Sequence, residues 1–256
     1  MIVDCRICSA KFEDEYRSWV CPHDAFAAND GKNNFTVHDE AYLSKSSEIY
    51  DADYFLRGVA SGKSLYENYT WLPNLTVPMV QTIVDHCGIK KEDRVLDFGC
   101  ARGYVVKALR GLGYGAYGID ISEWAIKNAD EETKPYLNWS SNGPLLKAME
   151  FDWIIAKDVL EHVPYVRYTV TDLMNAAKCG IFAVVPLSNF DNGKYVISEY
   201  EKDITHIQRW TLSTWVEMFM RYGWRVEASY RVPGVKDNYH KDGWERGNGF
   251  ITCRRI

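Results

Sequence analysis

The chain of 256 residues predicts an α/β fold, a doubly wound and mostly parallel sheet, and two observations carry that prediction. From about residue 75 onward, apolar runs of strand length alternate with segments of helical periodicity, the pattern of repeated βαβ units with right-handed crossovers. In the first such unit, Arg94-Val95-Leu96-Asp97-Phe98-Gly99-Cys100-Ala101-Arg102-Gly103 is followed by Ala116-Tyr117-Gly118-Ile119-Asp120-Ile121-Ser122. This reads as strand, tight glycine turn, helix, second strand and terminal acid, which is a nucleotide-binding arrangement. Asp120 lies 23 residues beyond Asp97, close to the separation at which an acid reaches a ribose.

Each element follows in order. Val80, Ile83, Val84 and Cys87 make one apolar face of a helix over 77–87, ended by Gly88. Residues 94–98 form a buried strand, and 104–112 a helix closed by Gly113. Residues 116–119 form the next strand, after which Ser122 caps a helix running to 129. A third strand falls within 134–139, a fourth at 151–156, a helix at 165–177 and a fifth strand at 180–185. A helix at 211–222 and strands at 224–230 and 250–254 complete the alternation. The irregular stretches 186–208 and 231–249 have the length of functional loops rather than simple connections. Three regions result: a cysteine-bearing lobe at 1–30, a polar and aromatic lid or linker at 31–74, and the α/β domain at 75–256.

Composition narrows the function classes. The hydrophobic fraction of 46% suits a packed core, and the length allows one full domain with a small appendage. No apolar run approaches the roughly 20 residues of a membrane span. The start, Met1-Ile2-Val3-Asp4-Cys5, lacks the charged-then-apolar pattern of a signal peptide, so a cytoplasmic location without membrane partners is expected. A net charge of −5 argues against a broad nucleic-acid surface, which needs a basic stripe to displace counterions. Of seven cysteines, Cys87, Cys100, Cys179 and Cys253 read as reduced and mostly buried thiols.

The other three cysteines form a metal pattern. Cys5-Arg6-Ile7-Cys8 is a knuckle that grips one ion through two thiolates, and Cys21-Pro22-His23-Asp24 offers the second half of a tetrahedron. Cys5, Cys8, Cys21 and His23 are the expected zinc ligands, imidazole suiting zinc better than a carboxylate, with Asp24 as the alternative fourth ligand. A lobe of about 20 residues cannot build a core, and a metal supplies its folding energy.

Asp97 decides which nucleotide the main site takes. At this turn a dinucleotide presents its pyrophosphate, which a carboxylate would repel. S-adenosylmethionine carries no phosphate, and its ammonium and sulfonium are cationic, so an acid at the end of the first strand favours it.

These residues resemble the class I S-adenosylmethionine-dependent methyltransferases, whose first-strand motif is an acid followed by Gly-x-Gly-x-Gly. Here it stands as Asp97 and Gly99-Cys100-Ala101-Arg102-Gly103, with Ala101 in place of the middle glycine, a difference of one methyl group. Glu150 to Pro164 is similar to the family's fourth strand and following turn, Cys179 to Pro186 to its fifth strand, and His206 to Gly223 to its late helix. The resemblance covers about residues 75–256 and implies a Rossmann-like fold. The cysteine lobe is loosely similar to N-terminal zinc elements of sugar-tailoring methyltransferases.

The resemblance implies roles residue by residue. Gly99, Ala101 and Gly103 let the backbone approach the cofactor, and Asp97 attracts its ammonium. Asp120 takes the ribose hydroxyls, and Ile121 lies against the adenine. Asn138 or Trp139 reads the adenine amino group, and Asp158 lines the methionine end. Tyr50, Tyr54 and Phe55 form an N-terminal lid. Methyl transfer to a hydroxyl also needs a proton acceptor. The candidates are His206, with Asp203 expected to orient it, and His162 in Asp158-Val159-Leu160-Glu161-His162. The expected acceptor is a small molecule such as a sugar. The rival readings are an RNA or protein methyltransferase docking through the zinc lobe, and a non-catalytic cofactor-binding module.

Overall fold

A computed structural model describes residues 2–4, 11–13, 48–140, 146, 148–163, 166–187, 189–191, 194–196, 203, 205–208, 210–237 and 247–256. Two short strands, β1 (Ile2–Asp4) and β2 (Lys11–Glu13), pair antiparallel near the start, with Asp4 opposite Lys11. The expected zinc ligands Cys5, Cys8, Cys21 and His23, and the alternative Asp24, lie outside the described residues. Two short helices, α1 (Ala52–Leu56) and α2 (Gly58–Ser61), then precede α3 (Pro73–Cys87). Pro73 opens α3 where a missing N–H costs nothing, and Gly88 ends it in the left-handed conformation.

The α/β alternation follows: β3 (Arg94–Phe98), α4 (Tyr104–Gly111), β4 (Gly115–Asp120), α5 (Glu123–Lys127), β5 (Leu137–Trp139), β6 (Phe151–Lys157), α6 (Val166–Ala176) and β7 (Ala177–Pro186). A small hairpin, β8 (Asn189–Asp191) with β9 (Lys194–Val196), lies inside the first long loop, where the sequence predicts no element. The chain then forms α7 (Leu212–Met220), β10 (Arg225–Ser229) and β11 (Asn248–Arg254). Ser122 caps α5 as its sequence predicts, its hydroxyl accepting from Ala125 N–H at 3.0 Å, but α5 stops at Lys127 rather than continuing to 129. The expected third strand is shortened because Lys134–Tyr136, containing Pro135, makes a 3-10 turn first.

Seven strands form one sheet in the order β10-β11-β7-β6-β3-β4-β5. Its centre is parallel, while β11 runs antiparallel between β7 and β10. Both faces are covered. Leu96, Phe98, Ile154, Ala156, Ile181 and Ala183 pack under α6 and α7, against Leu173, Trp215 and Phe219. Val95, Ala116, Trp153, Ile155, Phe182 and Val184 pack on the opposite face against Val80, Ile83 and Leu109 of α3 and α4. Consecutive residues of β6 and β7 therefore serve opposite layers, which is why these strands read as unbroken apolar runs. From β3 the chain winds outward to β4 and β5. It then returns to β6 on the other side of β3, so the crevice between the ends of β3 and β6 is the switch point where such sheets bind ligands.

The sheet has little room at its centre. A Cβ on Gly180 of β7 would meet the Trp153 ring at 2.4 Å and the Cys253 carbonyl at 2.6 Å, whereas one on Gly111, at the end of α4, meets nothing within 4 Å. Gly180→Ala is expected to lower the free energy of unfolding by about 1–3 kcal/mol through overpacking. Gly111→Ala should raise it by about 0.4–1 kcal/mol, because alanine restricts the unfolded chain. Guanidinium melts of both variants check the pair, and equal effects would contradict it.

Candidate active site

The glycine turn after β3 is built by its backbone. Gly99 (φ 78°) and Gly103 (φ 75°) take the left-handed conformation, and so does Ala101 (φ 48°). Ala101 is therefore not a simple addition of a methyl: its backbone adopts a conformation that costs an L-residue about 1–2 kcal/mol. Gly99 is also required by space, since a Cβ there would lie 2.4 Å from Val159. The amides of Gly99 and Cys100 donate to the Ile119 carbonyl at 2.9 and 3.1 Å, fixing the turn against the end of β4.

Asp120 ties two turns together. Its carboxylate accepts from Ala101 N–H and from Ser122 N–H, both at 2.7 Å. Burial raises its pKa and these amides oppose the rise. Asp97 is 4% exposed, and burial pushes its pKa up to about 7 against the pull of the Lys157 ammonium. On the adjoining strand, Asn138 pairs beside Ile119, and Trp139 pairs beside Asp120. The Trp139 indole N–H donates to the Ile121 carbonyl at 3.0 Å.

Across the switch point, Asp158 follows β6 with φ 52°, a left-handed position that aspartate tolerates. Lys157 Nζ lies 2.5 Å from one of its oxygens and Lys236 Nζ 2.7 Å from the other. Burial alone would raise the Asp158 pKa, but Lys157 and then Lys236 hold it well below the usual carboxylate range. Lys236 also reaches Asn248 Oδ1 at 2.9 Å. The expected methionine-end acid thus sits between two ammonium groups, which the sequence reading missed. The available signal was Lys157 itself, a charge directly after the apolar run Trp153–Ala156.

The histidines meet on the same side. The rings of His162 and His206 are 4.8 Å apart between centroids, and Tyr50 packs edge-on to His162 at 6.0 Å. Asp203 serves a different partner from the one expected. Its carboxylate accepts from Tyr54 Oη at 3.1 Å, and from Thr205 Oγ1 at 2.5 Å and Thr205 N–H at 2.9 Å. Thr205 in turn contacts His162 Nδ1 through its hydroxyl at 2.8 Å and its carbonyl at 3.2 Å. Asp203 therefore orients His162 through Thr205, because its side chain is already committed to that loop residue. Burial lowers the His162 pKa, with Asp203 opposing.

The aromatic segment before α3 closes the remaining side. Tyr54 and Phe55 are buried, and Phe55 stacks on Trp124 at 5.4 Å. Ser122 Oγ donates to the Tyr50 carbonyl at 2.5 Å, so this segment touches both the turn after β4 and, through Tyr54, the histidine side. Tyr66 and Tyr69, given no role from sequence, pack half-buried against Tyr54 and Phe55. After burial, the largest acidic influences on their raised pKa values are Asp158 for Tyr66 and Asp97 for Tyr69.

The main set therefore converges: Asp97, Gly99, Ala101, Gly103 and Asp120 at one edge of the crevice, Asp158, His162 and His206 at the other, with Tyr54 alongside the histidines. Comparison with known proteins agrees with the architecture. A ubiquinone biosynthesis O-methyltransferase of Thiobacillus denitrificans is 28% identical over 116 residues, which cover 41% of this chain and about half (48%) of that relative. The structure of an S-adenosylmethionine-dependent methyltransferase from Aquifex aeolicus superposes with a TM-score of 0.51 at 14% identity, over 84% of this chain and 98% of that one. The [4+2]-cyclase SpnF superposes with a TM-score of 0.58 at 13% identity, over 83% and 96%. These two share the fold and settle nothing about the reaction. Residues 78–229, more than half of the chain, match the methyltransferase domain family, and the chain belongs to it, with the class I fold.

Proposed function

We propose that this chain transfers a methyl group from S-adenosylmethionine to a small polar acceptor, a hydroxyl or carbon of a sugar or similar metabolite. The observation that carries the reading is Asp97, a buried carboxylate at the turn where a dinucleotide would place its pyrophosphate. A cationic cofactor fits there and a phosphate does not. Asp97 meets the ammonium. Gly99, Ala101 and Gly103 bring the backbone close, and Asp120 takes the ribose hydroxyls with the lone pairs left by its two amide donors. Ile121 and Asn138 flank the adenine, and Asp158 lines the methionine end with Tyr54 in the lid. The cofactor brings its own leaving group, so the chain supplies alignment, exclusion of water and an acceptor-side group at His162 and His206. The O-methyltransferase name of the Thiobacillus relative supports a hydroxyl acceptor.

The reading extends to a structural zinc ion on Cys5, Cys8, Cys21 and His23 or Asp24. The paired strands β1 and β2 flank the sequence segment that carries the first two cysteines, an arrangement in keeping with a knuckle. Elemental analysis of protein purified without added metal should give about one zinc per chain, lost in Cys5→Ser. A zinc-free preparation with an intact N-terminus contradicts this part.

Cofactor binding provides the direct test. Asp120→Ala should weaken S-adenosylmethionine by about 1.5–3 kcal/mol for each charged hydrogen bond lost, as read by calorimetry. The pH dependence follows from Asp97. Its acid form dominates below about 7 and cannot attract a cation, so affinity should fall toward about tenfold per unit as pH drops below that value, and level off above it. Unchanged affinity in Asp120→Ala together with a flat pH profile would remove the cofactor assignment.

Turnover is tested by following S-adenosylhomocysteine formation across acceptor classes. His206→Ala and His162→Ala, measured in parallel, should identify the acceptor-side group by a loss of about 10²–10⁴-fold in kcat with cofactor affinity retained. Wild-type rates in both variants would take the role away from the pair.

A further inference from the structure

Beside the cofactor crevice, Glu161, His162 and His206 each present one donor atom within 4.8 Å of the other two. Glu161 is 1% exposed, and its Oε2 has no hydrogen-bond partner among the described residues. Such a carboxylate inside a protein needs a proton or a cation to stay there.

The tautomer of His162 points the same way. Thr205 Oγ1 spends its hydrogen on Asp203, and the Thr205 carbonyl has none to give, so both can only accept from His162 Nδ1. Nδ1 therefore carries the ring hydrogen of the neutral imidazole. Nε2 is left with a lone pair that faces Glu161 Oε1 at 3.8 Å. Two lone-pair atoms oppose each other across that gap. An imidazole whose far nitrogen donates to a carbonyl or a carboxylate-backed group is the usual state of a metal ligand. Two metal bonds of about 2.0–2.2 Å at a tetrahedral angle hold their donors about 3.3–3.6 Å apart, so the 3.8 Å pair closes by a few tenths of an ångström and a pair at the 4.8 Å limit by roughly 1.2–1.5 Å.

We propose that Glu161, His162 and His206 form a divalent cation site that binds the acceptor oxygen. The donor set, two imidazoles and one carboxylate, suits a first-row transition ion such as Mn²⁺, Co²⁺ or Zn²⁺ better than Mg²⁺. Three protein ligands leave positions open for an acceptor hydroxyl. A cation there lowers the pKa of that hydroxyl, whose proton leaves to water. The oxygen lone pair then forms the bond to the sulfonium methyl carbon, and the carbon–sulfur pair stays on sulfur as a neutral thioether. The two histidines then act as ligands rather than as bases. Thr205, Asp203 and Tyr54 are positioning residues behind His162. The role, but not the binding site, rests on the methyl-transfer reading above.

Mn²⁺ is the probe, because thiolates of the cysteine cluster hold it poorly. Electron paramagnetic resonance on the full chain should show one strong Mn²⁺ site per chain with nitrogen coupling from two imidazoles. Glu161→Gln and His162→Gln should abolish it. Thr205→Val, which leaves every ligand in place, should weaken it by about 10–100-fold. Cys5→Ser and Asp120→Ala should leave it intact. The spectrum of the unmodified protein keeps the test decisive if a buried variant fails to fold. No Mn²⁺ bound, or Mn²⁺ bound without nitrogen coupling, overturns the proposal. The same preparation titrated with S-adenosylhomocysteine separates the two readings. Cofactor binding without Mn²⁺ defeats only the cation site, and Mn²⁺ binding without cofactor defeats the methyl-transfer role.

Discussion

The carboxylate of Asp120 is the joint on which the crevice at the switch point depends. It bonds at once to the turn after β3, through Ala101, and to the turn after β4, through Ser122. It acts together with the Ile119 carbonyl, which accepts from Gly99 and Cys100 and holds the first turn against the end of β4. Ala101 shows the force of this constraint. Its amide must point at Asp120, and the chain accepts a left-handed alanine to achieve it. Ser122 passes the alignment on to the Tyr50 carbonyl, so the aromatic segment is placed from the same joint.

Charge is distributed unequally around the crevice. Lys157 and Lys236 both bind Asp158 and keep it ionised, while the more deeply isolated Asp97 titrates near neutrality and Glu161 is pushed well above the usual range by burial and then by Asp158. These three acids thus differ in how readily they ionise, and the difference comes from direct contact: both lysines pair with Asp158, while they act on Asp97 and Glu161 only from a distance.

Much of this was legible in the sequence, for identifiable reasons. The boundaries of β3 are legible to the residue because Val95, Leu96 and Phe98 give it apolar contacts on both faces and the run stops at a glycine. The cap of α5, Ser122, was visible as a single polar residue before helical periodicity, whereas Thr211, read as the first residue of its helix, is the cap of α7. The convergence of Asp97 and Asp120 followed from a local spacing within one βαβ unit. What stayed hidden was long-range. Lys236 reaches Asp158 from 78 residues away, and Tyr54 reaches Asp203 from 149 residues away. No periodicity announces such pairs. Asp203 lies close to His206 in the chain, yet its carboxylate is turned toward Thr205 and, through it, His162.

The position of β11 has a consequence for how the chain is made. It is the last strand in order, yet it lies inside the sheet, with β7 on one side and β10 on the other. Until residues 248–254 leave the ribosome, the outer edge of β7 is an unpaired apolar strand, and β10 has no neighbour to join. Strands β3, β4 and β6, which carry the crevice, can pair during synthesis. The other half of the sheet waits for residues 248–254 and is the part most exposed to chaperones and to misassembly in the interval.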